Sequence, residues 1–158
     1  MFRHLLVPTD GSDLSDGTIR RAVSFASEAG ARITFFHARE SELQQPETSL
    51  YGEPVLIDPS VREQFDQARN TWVEELLASA CTIAAAAGVP CDSDSSANPV
   101  IHEAIIEAAA SHGCDLIFMA SHGRRGLAGL LLGSETQRVL THTSLPVLVD
   151  RKPDTAPA

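Results

Sequence analysis

Asp115-Leu-Ile-Phe-Met-Ala-Ser-His-Gly-Arg-Arg-Gly-Leu-Ala-Gly-Leu-Leu-Leu-Gly-Ser-Glu-Thr-Gln137 joins three signals in one run. Asp115 to Ala120 is short and apolar, as expected of a buried strand. Ser134-Glu-Thr-Gln137 has the form of a capping box, a serine followed three residues later by a glutamine, and is expected to open a helix. Between them lie Gly123, Gly126, Gly129 and Gly133, which permit positive φ and close approach of a ligand. Such a passage from strand to helix gathers free backbone N–H groups at the positive end of a helix dipole, which is how chains hold phosphate. The alternative is a solvated loop whose glycines serve turns only. Charge argues against it. The chain carries a formal net charge of −9, yet between Asp115 and Glu135 there is no carboxylate, while Arg124 and Arg125 supply two guanidiniums.

Outward from this run the chain alternates strand and helix. Three helical patterns end in glycine before a possible strand: Gly30 before Arg32 to Ala38, Gly88 before Pro90 to Ser96, and Gly113 before Asp115 to Ala120. Ile19, Ala22, Val23 and Ala26 form one helical stripe, and Ile101, Ala104, Ile105 and Ala108 another. Asn98-Pro99 is expected to cap the latter helix. A long helix is expected from about Val61 to Ala87, with Val61, Phe65, Ala68, Trp72, Leu76 and Ile83 inward. Arg3 to Pro8, Ile33 to His37, Leu116 to Ala120 and Pro146 to Asp150 are near-continuous apolar runs, the mark of parallel strands covered on both faces. Cys91 to Ser96 lacks branched apolar residues and belongs at an exposed edge.

With 158 residues, 43% hydrophobic and 21% charged, one α/β domain over 1–150 is expected. Residues 40–60, with Pro46, Pro54 and Pro59, read as a long connection that could close over the rim, and 151–158 as a flexible tail. Eleven arginines and Lys152 scattered among 21 acids give no basic stripe, so nucleic acid is not an expected partner. No run approaches a membrane span, and Cys81, Cys91 and Cys114 lack disulfide or metal spacing, so the cytoplasm is the expected location. Nor do the six histidines show ligand spacing.

Right-handed βαβ units put all strand carboxyl ends on one rim, where ligands bind at the reversal of strand order. The loop Pro8-Thr-Asp-Gly-Ser-Asp-Leu-Ser15 and the glycine-rich loop both lie there. Neither a Walker lysine motif nor the G-x-G-x-x-G fingerprint is present.

Val7-Pro-Thr-Asp-Gly-Ser12, Met119-Ala-Ser-His-Gly-Arg124, Leu131-Leu-Gly-Ser134 and Leu145-Pro-Val-Leu-Val149 together resemble the universal stress protein family over nearly the whole chain. The resemblance implies a Rossmann-like open five-stranded parallel sheet with helices on both faces, similar to the adenine nucleotide alpha hydrolases. It implies ATP or AMP as ligand, with Mg2+ or Mn2+ on the phosphates. Pro8, Thr9 and Asp10 would contact adenine or ribose, and Ala38 would line the base pocket. Gly123, Arg124, Gly133, Ser134, Glu135 and Thr136 would follow the phosphates, and Met119 and Ala120 would belong to the same nucleotide-binding set. His122 would either donate to a phosphate or tie its loop to the sheet. Ala120 departs from the family's G-x2-G-x9-G-[ST] pattern, whose first position is glycine, and Ala97 stands where many relatives have glycine. A homodimer through Pro146 to Val149 and an unidentified regulatory protein partner are also implied. The competing expectation is a regulatory dimer without nucleotide. A slow ATPase, with Glu135 or Asp13 orienting water, or an adenylating enzyme is a further alternative, and no catalytic residue is assigned.

Overall fold

The computed structural model describes residues 1–39, 58–122 and 132–151. Most of the 40–60 connection, Gly123, Arg124, Arg125, Gly126, Gly129 and the tail from 152 lie outside the described residues. Among the described residues nine elements alternate: β1 (His4–Pro8), α1 (Asp13–Ala29), β2 (Arg32–Arg39), α2 (Pro59–Ala86), β3 (Cys91–Ala97), α3 (Ile101–Ser111), β4 (Leu116–Ala120), α4 (Ser134–His142) and β5 (Val147–Asp150). The strands form one sheet in the order β3-β2-β1-β4-β5, and every pairing is parallel. Among the described residues no helix is long and apolar enough to cross a membrane.

Strand alternation divides the core. Leu5, Val7, Ile33, Phe35, Leu116 and Phe118 pack with Ile19, Ala22, Val23 and Ala26 of α1 and with Val73, Leu77, Ala80 and Ala84 of α2. Leu6, Phe36, Ile117 and Met119 pack with Ala104, Ile105, Ala108 and Ala109 of α3 and Val139 of α4. Each face of the sheet therefore carries its own pair of helices. His4 is buried among them, its Nε2 2.8 Å from the Thr34 hydroxyl, and burial lowers its pKa. Gly30, Gly88 and Gly113 end their helices with φ of 64°, 70° and 66°, the left-handed turn expected of them.

Three expectations are corrected. The inward stripe of α2 is Val73, Leu77, Ala80 and Ala84, while Val61 and Phe65 are 40% and 67% exposed. The first turns of this 28-residue helix are exposed, so among the described residues their periodicity has nothing to pack against. Trp72, Ile83 and other neighbours pack only partly buried against the same core. Asn98-Pro99 does not cap α3, which begins at Ile101 after Val100. The Asn98 N–H still donates to Arg39 O as the strand pairing ends, and its side chain accepts from Val100 N at 2.8 Å instead. The capping box of α4 is not formed either: Gly133 is the N-cap and Ser134 the first helical residue.

β3 is an edge strand, as its composition predicts, and its polar residues are engaged with neighbouring elements. Arg32 pairs with Asp92, and His112 Nε2 lies 2.9 Å from Asp94.

Asp150, at the end of the opposite edge, joins β5 to α1. Its carboxylate accepts from Thr18 Oγ1 at 2.7 Å and Arg21 Nε at 2.5 Å. Burial works against its charge, but these two donors hold the carboxyl below its ordinary value. A depressed carboxylate contributes stability that is present above the unfolded pKa, about 3.9, and lost as pH falls through the lower folded value. Asp150→Asn should therefore destabilise the chain at neutral pH by about 2 kcal/mol. Denaturant melts of both proteins from neutral to acid pH should show the difference shrinking only below about pH 4. A difference independent of pH would show that the charge of Asp150 contributes nothing.

Candidate functional site

β1 and β4 lie side by side at the centre of the sheet, while the chain leaving β1 forms α1 on one face and the chain leaving β4 forms α4 on the other. The crevice between these exits is the topological switch point of the fold.

One wall is the turn after β1. Thr9 is buried and held three ways: its N–H donates to Phe36 O at 2.8 Å, its hydroxyl lies 2.5 Å from Ser15 Oγ, and its carbonyl accepts from His37 Nδ1 at 2.7 Å. That last bond fixes the proton of His37 on Nδ1, since a carbonyl can only accept. The His37 ring stands edge-on to Trp72 of α2, centroids 5.4 Å apart. Asp10 Oδ1 accepts from Ser12 N at 2.9 Å, folding the turn, and Ser12 caps α1. Gly11 follows Asp10 with φ of 74°, where a side chain would be strained. Pro8 and Ala38 stand half-buried near the ends of β1 and β2.

The other wall is the end of β4 and the start of α4. Ser121 N–H donates to Asp150 O at 2.8 Å, and Ser121 O accepts from Gly133 N at 2.7 Å, so the two ends of the glycine-rich loop are pinned together. Thr136 is buried and its hydroxyl donates to Ala120 O at 3.1 Å, which leaves its N–H as its group for a ligand. The N-cap of α4 is a glycine, and among the described residues no side chain caps the helix. The first-turn amides of Ser134, Glu135 and Thr136 have no intrahelical acceptor, and their dipoles add at this end. His122 Nδ1 lies 3.1 Å from Ser121 Oγ.

This arrangement suits an anion at α4 and a polar, flat group against the Thr9–Asp10 turn. The universal stress protein family model matches residues 1–151. The chain belongs to this family. A relative from Bacillus subtilis, universal stress protein YxiE, is 33% identical over 156 residues, covering 96% of this chain and all of that one. The solved structure of MJ0577, a protein of Methanocaldococcus jannaschii, matches with a TM-score of 0.72 at 25% identity, covering 98% of this chain and 99% of that one. A universal stress protein solved in complex with cAMP shares the fold, with a TM-score of 0.66 at 22% identity over 95% and 97% of the two chains.

The described part of the universal stress protein motif thus gathers Pro8, Thr9, Asp10, Ala38, Met119, Ala120, His122, Gly133, Ser134, Glu135 and Thr136 on one rim, while Gly123 and Arg124 lie outside the described residues. Two side chains face elsewhere. Met119 is packed in the core beside Val139. The Glu135 carboxylate accepts from Arg138 Nη1 at 2.9 Å, and its other oxygen faces His102 Nδ1 at 3.6 Å. His102 in turn lies against His142, ring centroids 4.9 Å apart, a meeting of α3 and α4 that sequence spacing could not show. Ala120, at the position of the missing glycine, is paired with Asp150 in the strand, and no described non-glycine residue has positive φ. The backbone there needs no glycine.

His37, Ser15 and Ser121 are site residues that motif reading passes over. The parallel register supplies the signal for His37: Pro8 pairs with Phe36, so the next residues of both strands meet on the rim.

Proposed function

We propose that this universal stress protein binds an adenine nucleotide, ATP or AMP, between the Thr9–Asp10 turn and the start of α4, and acts as a regulatory dimer in the stress response. The observation that carries this reading is the uncapped N-terminus of α4, facing the ordered Asp10 turn across the switch point. The phosphates fit the amides of Ser134, Glu135 and Thr136, with Gly133 adding no side chain at the helix start. Base and ribose fit Pro8, Thr9, Asp10 and Ala38, with Gly123, Arg124 and His122 extending the phosphate side.

A bound nucleotide supplies negative charge and a flat base. The chain supplies oriented donors, and no bond-breaking step is assigned to it, since the Glu135 carboxylate is engaged by Arg138. Mg2+ or Mn2+ would take its ligands from phosphate and water: among the described residues no group of three His, Cys, Asp or Glu stands ready to hold a metal. The relative in complex with cAMP, an adenine nucleotide, supports the ligand class through its shared fold. The free side of β5 is the surface for the second copy, because pairing two such edges across a two-fold axis satisfies both.

The test is to denature the purified protein and identify the released small molecules by chromatography and mass. About one ATP or AMP per chain is expected of a tightly held ligand. An empty chain that also ignores added ATP and AMP in calorimetry would overturn the reading and leave the nucleotide-free regulatory dimer.

A further inference from the structure

Three cysteines lie in two different places. Cys114 is buried in the core under α3, whereas Cys81 and Cys91 are half-buried together on the other face of the sheet. Cys81 sits in the last turns of α2 and Cys91 opens the edge strand β3, joined by the turn at Gly88. The Cys91 thiol donates to the Cys81 carbonyl oxygen at 3.8 Å. We propose that Cys81 and Cys91 are a thiol pair that a peroxide converts to an intramolecular disulfide, stapling the edge strand β3 to α2.

The Cys91 sulfur therefore lies against the residue that carries the other thiol, across the turn that joins α2 to β3. Burial, with Cys81 beside it, pushes the Cys91 thiol up to about 12, so Cys91 stays protonated at neutral pH and serves as the second, resolving sulfur. The Cys81 sulfur takes one peroxide oxygen as the O–O bond breaks, and its proton leaves with the departing hydroxide, giving a sulfenic acid and one water. The Cys91 sulfur then displaces hydroxide from the Cys81 sulfur. Its proton leaves with that hydroxide as a second water. Two thiols are oxidised by two electrons in total, and one peroxide is reduced to two waters.

The position of the pair determines what the bond does. Cys91 lies beside Ile33, at the end of the sheet opposite Thr9 and Ala38. The disulfide therefore secures the edge where β3 has only one strand neighbour, and leaves the rim unchanged. Because the pair is remote from the rim, the inference stands apart from the nucleotide reading.

The experiment treats the folded full-length protein with hydrogen peroxide, blocks remaining thiols, unfolds and digests it without reductant, and maps the peptides by mass. A peptide linking Cys81 to Cys91 is expected, with Cys114 still a thiol, together with a raised melting temperature that dithiothreitol returns to its starting value. In Cys91→Ser the link should vanish and Cys81 should advance to sulfinic acid. Either of two results in the parent chain would overturn the proposal: both thiols still reactive after peroxide, or Cys81 oxidised without a bond to Cys91.

Discussion

Gly133→Asp is expected to lose nucleotide binding while melting at or above the temperature of the parent chain. Gly133 has φ of −68° and ψ of 155°, extended backbone open to any residue, and its N–H bond to Ser121 O is kept by aspartate. As an N-cap, aspartate would accept from the first-turn amides and add roughly a few tenths of a kcal/mol to α4. The same carboxylate would then occupy the seat proposed for phosphate. Two like charges about 4 Å apart near a protein surface repel by about 4 kcal/mol, or roughly a thousandfold in affinity. Gly133→Ser separates the causes, since it caps without charge and should weaken binding far less. Calorimetric titration with ATP and AMP, alongside thermal melts, reads both effects. Parent-like affinity in the aspartate variant would mean that phosphate does not sit at α4.

The same residue shows what sequence can and cannot supply. The spacing of Gly133 and Ser134 in the motif marks the site, but the backbone there does not demand glycine, since φ of −68° is open to any residue. Conversely Gly11, inside the quoted turn, does need positive φ, and nothing in its neighbours distinguishes it from Gly133. Ser134 to Gln137 matches the capping-box pattern in letters only. The pinning of Gly133 to Ser121, a contact between residues twelve apart, sets where the helix begins.

Periodicity was legible wherever a sheet lies beneath the helix. The stripe of α1 is buried as its spacing predicts, and so is that of α3 from Ala104 on, with Ile101 only partly buried, while His102 joins the α3 stripe because α4 covers it. In α2 the apolar positions Val61 and Phe65 continue a face that has lost its partner, so the pattern gave the wrong phase for the half that is buried. The edge position of β3 followed from composition, since its serines and aspartates suit an edge, whereas the order of the inner strands is set by packing between distant segments that no single stretch of sequence displays. His37 escaped notice because its role is a bond to a main-chain carbonyl across two strands, which leaves no trace in spacing.

Leu5→Ala should produce the opposite phenotype, a large loss of stability with binding retained. Leu5 is fully buried in the central strand, paired to Ile33 on one side and Leu116 on the other, and its side chain belongs to the core under α1 and α2. Strands on both flanks hold the backbone in place, so the space left by three carbons cannot collapse. The cost should fall toward the upper part of the usual range, about 4 kcal/mol. That is a large share of the roughly 5–15 kcal/mol that keeps a domain folded, and should lower the melting temperature by about 10 °C. Leu5 lies three residues from Pro8, roughly 10 Å down the strand from the rim, so titration at a temperature where the variant is folded should return the parent affinity. A loss of binding equal to that of Gly133→Asp would show that the rim depends on core packing throughout the sheet, and that the walls built by Thr9 and Gly133 are not an independent site.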